Sequence, residues 1–279
     1  MDYINYVKQY PLSMGGMGGT IGGFNFHSGG DDGTGIVPTD LYLHLDAANN
    51  SSYGGSGTTW TDLKGNSNIT LSSSGISYDA SDGGGSIIFA EAAGGTSSIP
   101  ISTIGTSGGS LELWCKITSA GSSYEFIAAY RNGVNDFFML LLTGGGAMEN
   151  RATYGGGGPV DVVSPNFGSS YWQNNWAHIV FTLDRSDNKT RFYLNGGLIG
   201  TSSGTVGTFS SSTAFELMYN STTTFASAGK LSQVRMYSGK ALSIYEVDRN
   251  FSTDRVKHGL TGTSVEFDGS GDDLQFASS

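Results

Sequence analysis

Residues 176–201, WAHIVFTLDRSDNKTRFYLNGGLIGT, decide the fold class of this chain. Large apolar side chains alternate with other residues in the first half of the stretch, at Ile179, Phe181 and Leu183. Such alternation is typical of one face of a β-strand. The polar run at 184–189 and the pair Asn195-Gly196 are tight-turn signals. The stretch therefore predicts a meander of antiparallel strands.

The same strand pattern recurs on both sides of this meander. Further strands are predicted at 41–45, 86–89, 110–118, 126–130, 137–142, 215–219 and 231–237. Gly accounts for 44 of the 279 residues and charged residues for only 14%. This composition favours short strands joined by many tight turns, as in a sandwich or barrel, over a helical fold.

One stretch near the end of the chain changes period. Ser243 and Glu246 have the spacing of a capping box, in which each side chain bonds the other residue's backbone N–H. The stretch predicts a short helix that begins after Ser243. Its apolar side chains are expected to face the sandwich, namely Ile244, Val247 and Phe251.

Four motifs resemble a known domain type in their wording and order. They are VPTDLYLHLDAANNSSYGGSGTTWTDLKGNSNITL at 37–71, SLELWCKIT at 110–118, the meander at 176–201 and LSQVRMY at 231–237. Together with the helix they resemble the laminin-G-like, concanavalin-A-like jelly-roll domains of bacteriophage virion proteins and bacterial surface proteins. The resemblance covers roughly residues 37–253. It implies that three tryptophans pack the core, Trp60, Trp114 and Trp176.

We therefore predict an all-β fold, a concanavalin-A-like (laminin-G-like) antiparallel β-sandwich jelly roll over residues 37–256. It carries an extended N-terminal arm and a short C-terminal helix. Residues 257–279 form a linker and strands, and GTSVEFDGSGDDLQF at 262–276 resembles the start of another such domain. Two interpretations stay open: these strands complete the sandwich or dock on a neighbour, or they begin a second domain.

Residues 1–36 form a segment too rich in glycine to bury a core of its own. It is either a disordered leader or an arm that orders against a partner. The density of large apolar side chains favours an arm that anchors the chain to a particle. The anchoring candidates are Tyr3, Tyr6, Tyr10, Met14, Met17, Ile21, Phe24 and Phe26.

Net charge and cysteine content limit which partners the chain can bind and in which cellular compartment it is made. The net charge is −10 and no Lys/Arg cluster is present, so a nucleic-acid partner is not expected. The chain starts without a signal-peptide pattern, and no apolar run approaches the roughly 20 residues of a membrane span. The single Cys115 lies in a strand pattern and is predicted to be a buried thiol. One cysteine excludes an intrachain disulfide and fits synthesis in a reducing host cytoplasm.

Some jelly rolls of this type hydrolyse glycosides. Those enzymes need Glu-x-Asp-x-x-Glu on one strand, which places an acid and a nucleophile in one cleft. Glu246-Val247-Asp248 is followed by Phe251 at the last position, and Glu266-Phe267-Asp268 by Gly271. The sequence therefore predicts that the chain is not an enzyme. The histidines show no paired zinc-ligand spacing, and His178 is predicted to be structural.

Calcium is the one cofactor that the sequence leaves open. Oxygen ligands on loops suit Ca²⁺, and the candidate ligands are Asp79, Asp82 and Glu91. A second acidic group consists of Asp268, Asp272 and Asp273. The alternative is that these are solvated turn residues, since Asp favours turns.

A glycan site is predicted on loops that carry aromatic residues. Trp172 and Tyr171 lie in a polar stretch, and a second loop carries Tyr154, Asn150 and Arg151. Sugar rings stack on exposed aromatic rings, and amide or guanidinium groups bond sugar hydroxyls. The alternative is that these aromatic and polar side chains pack against a neighbouring subunit, which would explain their presence in loops equally well.

The sequence thus predicts a non-enzymatic bacteriophage virion structural protein, in a tail fibre, appendage or capsid-decoration role. Its arm would bind other virion proteins, its jelly roll would contact host-surface glycans, and it would be a homo-oligomer on the particle. The alternative is a carbohydrate-binding module of a bacterial surface or secreted protein. A glycoside hydrolase is disfavoured by the missing carboxylates.

Overall fold

The computed structural model describes residues 35–119, 125–132, 136–142, 146–153, 160–166, 169–209, 215–218 and 228–260. Within these ranges the strands in chain order are β1 (Leu41–Asp46), β2 (Thr59–Trp60), β3 (Ile69–Leu71), β4 (Ile76–Asp79), β5 (Ser86–Phe89), β6 (Gly95–Ser97), β7 (Gly109–Ser119), β8 (Glu125–Asn132), β9 (Asp136–Leu142), β10 (Met148–Thr153), β11 (Val160–Val163), β12 (Ala177–Asp184), β13 (Lys189–Leu194), β14 (Gly197–Thr201), β15 (Phe215–Leu217) and β16 (Ala228–Ser238). The α-helices are α1 (Ser102–Gly105), α2 (Ser169–Asn174) and α3 (Ile244–Asp254). Short 3₁₀ turns cover Asp82–Gly84 and Arg255–His258.

The strands form two antiparallel sheets of eight strands each. Sheet A has the order β14-β13-β12-β7-β16-β5-β4, and β1 also pairs with β16. Sheet B has the order β11-β10-β9-β8-β15-β6-β3-β2. The length of β16 explains the branch in sheet A. Its 11 residues pair with β5 over 229–231 and with β1 over 233–237 along the same edge.

The main core lies between the two sheets and follows from strand alternation. Leu43 and Leu45 of β1 are fully buried, while the residues between and after them are partly exposed. Burial of an aliphatic side chain of this size stabilises the fold by roughly 1.5–3 kcal/mol. The three predicted core tryptophans, Trp60, Trp114 and Trp176, are all buried. Trp60 belongs to this main core, whereas Trp114 and Trp176 pack against His258. The all-β antiparallel sandwich with one short C-terminal helix is confirmed.

A second apolar cluster covers the outer face of sheet A. It consists of Val37, Leu41, Val180, Tyr193, Tyr237, Leu242 and Val247. The first described residues are held there by α3, because Arg249 Nε donates to the carbonyl of Gly35 and Val37 N donates to Asn250 Oδ1, both at 2.8 Å. As a result β12 is buried on both faces, although its sequence pattern predicts one buried face.

Helix α3 begins at the predicted capping box. Ser243 N donates to the Glu246 carboxylate at 2.9 Å, and Glu246 N donates to Ser243 Oγ at 3.4 Å. Phe251 stacks on Trp114 with ring centroids 5.8 Å apart. The packed domain continues past the predicted boundary at residue 256, because His258 is buried and stacks on Trp114 at 3.8 Å.

The lone cysteine is the buried thiol that its strand pattern predicts. Cys115 is 1% exposed on the inner face of β7, and burial raises the pKa of its thiol to about 12. The thiol therefore stays protonated and behaves as a small apolar side chain. None of the helices in the described ranges is long and apolar enough to cross a membrane.

Candidate functional site

The outward face of β10 and β11 carries a compact group of charged side chains at one edge of sheet B. Met148 and Ala152 of β10 belong to the core, so the alternating Glu149 and Arg151 point to the other face. Arg151 is paired with Asp161 of β11, and Glu149 with Val163. We call these four residues, Glu149, Arg151, Asp161 and Val163, the β10–β11 patch.

Arg151 joins the two carboxyl groups of the patch. Its Nε donates to Asp161 Oδ1 at 3.2 Å, and its Nη2 lies 2.5 Å from Glu149 Oε1. The side chains of Arg151 and Asp161 are 27% and 25% exposed, whereas that of Glu149 is 5% exposed. Burial raises the pKa of Glu149, although the neighbouring Arg151 cation opposes the shift. Val163 adds an apolar side chain that is 53% exposed.

The patch offers both kinds of hydrogen-bonding group within one small surface. A guanidinium has five N–H donors in a fixed fork, and a carboxylate has two oxygen acceptors. Because Arg151 contacts both acids, the three side chains hold one another in position before a ligand arrives. Adjacent hydroxyls of a sugar present the complementary donors and acceptors. With two carboxyl groups for one guanidinium, the patch suits a neutral polyol better than an anion.

The sequence of residues 91–248 matches the model of the Laminin_G_3 family, described as the concanavalin A-like lectin/glucanases superfamily. The chain belongs to this superfamily. No curated protein sequence matches the chain.

Solved structures share the lectin-type sandwich at low sequence identity. The binding domain of Paraclostridial Mosquitocidal Protein 1 aligns with a TM-score of 0.59 and 16% identity, over 76% of this chain and 52% of that chain. A botulinum neurotoxin serotype D ligand binding domain in complex with N-acetylneuraminic acid gives 0.59 and 11%, over 76% and 50%. Domain 4 of AbnA, a GH43 extracellular arabinanase from Geobacillus stearothermophilus, in complex with arabinotriose, gives 0.56 and 19%, over 75% and 97%. The chain spans about half the length of the toxin domains that it matches.

The two aromatic residues predicted to bind a glycan from an exposed loop, Trp172 and Tyr171, lie instead in a helix of this lectin-type domain. Trp172 is 1% exposed, because it lies in α2 and packs into the core, where Nε1 donates to the Gly146 carbonyl at 2.7 Å. The expectation of an exposed loop at Trp172 is therefore wrong. Tyr171 is half-buried, and its hydroxyl accepts a hydrogen bond from Asn195 Nδ2 at 3.1 Å. Helix α2 was not expected, since its six residues carry no periodic apolar pattern.

The second predicted loop divides between the two faces of β10. Asn150 is fully buried on the core side, and neither polar atom of its amide has a hydrogen-bond partner within the described ranges. Arg151 lies on the outward side, in the β10–β11 patch. Tyr154 lies outside the described residues. Of the five predicted glycan residues, Arg151 is thus the one that the structure places on a charged outer surface, and glycan binding by them stays a prediction.

A salt-bridge network occupies the place of the predicted calcium ligands. Lys230 Nζ lies 2.9 Å from Asp79 Oδ2 and 2.7 Å from Asp82 Oδ2, and Lys116 Nζ lies 3.1 Å from Asp82 Oδ2. The hydrogen bond from Lys230 lowers the pKa of Asp79. Glu91 lies in an exposed turn. In the described part of the chain, no cluster of three or more acidic, His or Cys side chains could hold a metal ion. The second acidic group, beyond residue 260, lies outside it.

Sequence patterns missed a buried charged network between sheet A and α3. Glu112 Oε1 lies 2.6 Å from Arg235 Nη1 and 3.0 Å from His178 Nε2, and Asn250 Nδ2 donates to Glu112 Oε2 at 2.6 Å. Arg235 also contacts the carboxylate of Asp254. Burial opposes ionisation of both acids, but it is outweighed by their partners taken together. Arg235, with His178 and Asn250, lowers the pKa of Glu112, and Arg235 with Lys257 lowers that of Asp254 to about 2. The predicted structural role of His178 is consistent with its place in this network.

Proposed function

We propose that this chain is a non-enzymatic, glycan-binding structural protein of a bacteriophage virion, and that the β10–β11 patch contacts the sugar. The observation that carries the proposal is the Arg151 guanidinium held between Glu149 and Asp161 on the outward face of a lectin-type sandwich. The groups that remain partly exposed are those that bond sugar hydroxyls. The arabinotriose complex of the structurally similar AbnA domain supports an oligosaccharide as the ligand class.

The binding mode follows from the arrangement of the patch. Arg151 keeps donors beyond those directed at its two acids, and each carboxyl group has two oxygens. A sugar with neighbouring hydroxyls would donate to a carboxyl oxygen and accept from the guanidinium at once, while its apolar C–H face covers Val163. Little side-chain freedom would be lost on binding because the salt bridges already order Arg151.

The absence of catalysis is part of the proposal and is supported by how the acids are engaged. A retaining glycosidase needs an acid and a nucleophile about 5–5.5 Å apart and directed at one bond. In the patch, Glu149 and Asp161 both contact one guanidinium. In the network below α3, Glu112 and Asp254 are buried and paired with Arg235. Neither pair is free to serve a substrate in those roles.

The virion setting rests on the sequence. Two features support an arm that binds another virion protein. One is the resemblance to virion jelly rolls, and the other is the density of apolar side chains in residues 1–36. Residues 1–34 of this segment lie outside the described residues. We place the protein in the virion after synthesis in the host cytoplasm, as a homo-oligomer on the particle. A carbohydrate-binding module is the second candidate, favoured by the match over 97% of the AbnA domain.

Replacing Arg151 by alanine is expected to weaken glycan affinity about 10- to 100-fold, because charge-assisted hydrogen bonds contribute about 1.5–3 kcal/mol. Titration of the full chain with neutral oligosaccharides in a calorimeter measures this. Arg191→Ala is the matched control, since Arg191 also contacts two acids, Asp184 and Asp187, and is 26% exposed. Equal affinity of the Arg151 variant and the native chain would contradict the assignment of the patch.

Replacing Tyr3, Tyr6 and Tyr10 together by serine is expected to abolish co-sedimentation of the chain with particles depleted of it. The apolar rings would otherwise be buried against the partner, and each contributes on the order of 2 kcal/mol. Tyr245→Ser is the control, because Tyr245 is 77% exposed on α3. Binding of the triple variant at the native level would refute arm anchoring. If the native chain also failed to bind, the virion setting would be wrong and the carbohydrate-binding module would be favoured.

A further inference from the structure

A second polar surface lies at the other edge of the sandwich. A cleft of about 220 Å³ opens between the loop that precedes β2 and the turn that joins β3 to β4. Ser56 and Thr58 line one wall, Ser73 and Ser77 line the other, and Tyr53 and Ile76 contribute the apolar lining. Since β2 and β3 end sheet B and β4 ends sheet A, the cleft lies where the edges of the two sheets meet.

Contacts within the loop that precedes β2 fix the position of one wall of the cleft, and they follow from the sequence of that loop. Gly55 and Gly57 adopt φ values of 85° and 98°, which side-chain-bearing residues rarely adopt, so the loop turns tightly around Tyr53. The Tyr53 hydroxyl donates to the Gly57 carbonyl at 3.2 Å, and its ring packs against Tyr78 at 5.7 Å. The phenol is protonated at neutral pH even at its ordinary pKa of about 10, and burial raises the pKa of Tyr53 further. The cleft is therefore formed before any ligand arrives.

The chemistry of the cleft differs from that of the β10–β11 patch. Its lining contains no acidic or basic side chain, only hydroxyls, glycine backbone, one phenol and one aliphatic group. Ser56, Thr58, Ser73 and Ser77 are all exposed. Each is thus a donor and acceptor available to a ligand. Pockets for drug-sized ligands are larger, at about 300–1,000 Å³, so this one suits a single ring.

We infer that the Tyr53 cleft is a second glycan site that takes one ring of a neutral saccharide. Hydroxyl groups on both walls would bond the sugar hydroxyls, while Ile76, which is partly exposed, would contact the apolar C–H face of the ring above the buried Tyr53. The inference shares its ligand class with the proposed function but uses other residues. Six strand spacings separate β11 from β3 in sheet B, which is about 29 Å at ~4.8 Å per spacing. One long glycan, or a surface dense in glycans, would engage both sites and gain affinity through effective concentration.

The experiment is a calorimetric titration of the full chain with arabinotriose and with a neutral hexose trisaccharide, at low and at high salt. Ser73→Trp fills the cleft, and Ser74→Trp is the matched control because Ser74 is exposed in the same turn and does not line the cleft. We expect two sites in the native chain and in Ser74→Trp, and one site in Ser73→Trp. The site that Ser73→Trp removes should be insensitive to salt, since no charged group lines it.

The outcomes separate this inference from the proposed function. Two unchanged sites in Ser73→Trp, or a native chain whose binding depends only on Arg151, would overturn the cleft and leave glycan binding by the patch standing. A native chain that binds neither sugar would overturn both. The double variant Ser73→Ala with Ser77→Ala removes the hydroxyls without adding bulk, and it should weaken the salt-insensitive site about 10-fold if two hydrogen bonds are lost. Thermal unfolding confirms that each variant is folded.

Discussion

Replacing Arg235 by leucine is expected to lower the free energy of unfolding by about 3–5 kcal/mol. Arg235 is 1% exposed and lies between the carboxylates of Glu112 and Asp254, which are equally buried. Without the guanidinium, both acids would remain buried between sheet A and α3 with no cation to compensate their charge. Their burial cost would then destabilise the folded state, or they would take up protons to avoid it.

Urea unfolding of the native chain and the variant measures this loss. Arg191→Leu is the control, because it breaks contacts with two surface acids and is expected to cost less than about 1 kcal/mol. The difference between the two arginines tests whether the network below α3 is a structural element. A loss at Arg235 no larger than that at Arg191 would contradict it.

Stability is expected to fall steeply as the pH is lowered from about 6.5 to about 4. Burial, and for His44 the nearby Arg235 cation, lower the pKa values of His44 and His258 from 6.5 to about 4. Between these values the unfolded chain binds protons that the folded chain does not, so stability rises with pH across this window and is lost as the pH falls. At about 1.4 kcal/mol per pKa unit, each histidine accounts for a loss of on the order of 3 kcal/mol in the free energy of unfolding as the pH falls through this window.

The charged neighbours of the two histidines set the shape of this transition. Asp46, Glu112 and Asp254 favour protonation of His44, and Asp254 favours that of His258, so burial has to outweigh them. Below pH 4 the buried acids add to the loss of stability. The pKa of Asp254 is lowered to about 2 in the folded chain, so the stability that its carboxylate contributes is lost as the pH falls toward 2 and the group takes up a proton.

Urea unfolding at several pH values, with the double variant His44→Gln and His258→Phe as the comparison, tests this expectation. The phenylalanine keeps an aromatic ring against Trp114, where His258 stacks at 3.8 Å. The variant is expected to lose most of the slope between pH 6.5 and 4. An unchanged slope in the variant would show that other groups cause the acid sensitivity.

Much of the sandwich could be predicted because its strands obey simple periodicity. The alternation of Leu41, Leu43 and Leu45, the meander at 176–201 and the capping box at Ser243 each encode their structure locally. Short strands such as β2 and β3 are two and three residues long and contain too few positions for a pattern. They form because neighbouring strands of sheet B supply their partners.

The candidate sites were harder to predict because side-chain exposure depends on distant elements. Glu112 and Arg235 alternate with core residues, which suggests solvent-facing positions, yet α3 covers them. Trp172 sits among polar residues, yet it packs into the core. Arg151 was predicted as a glycan residue, but its acidic partners were not, because the pairing of β10 with β11 brings Asp161 opposite Arg151. The Tyr53 cleft requires the edges of both sheets and has no sequence motif.

The most direct test of glycan binding by the patch is a ¹H–¹⁵N chemical-shift titration of the full chain with neutral oligosaccharides. The proposal predicts saturable shifts of the amides of Glu149, Arg151 and Val163, and the loss of these shifts in Arg151→Ala but not in Arg191→Ala. Shifts at residues 55–58 and 72–77 would come from the second site and respond to Ser73→Trp. A chain whose β10–β11 amides do not move with any sugar would contradict the proposed function.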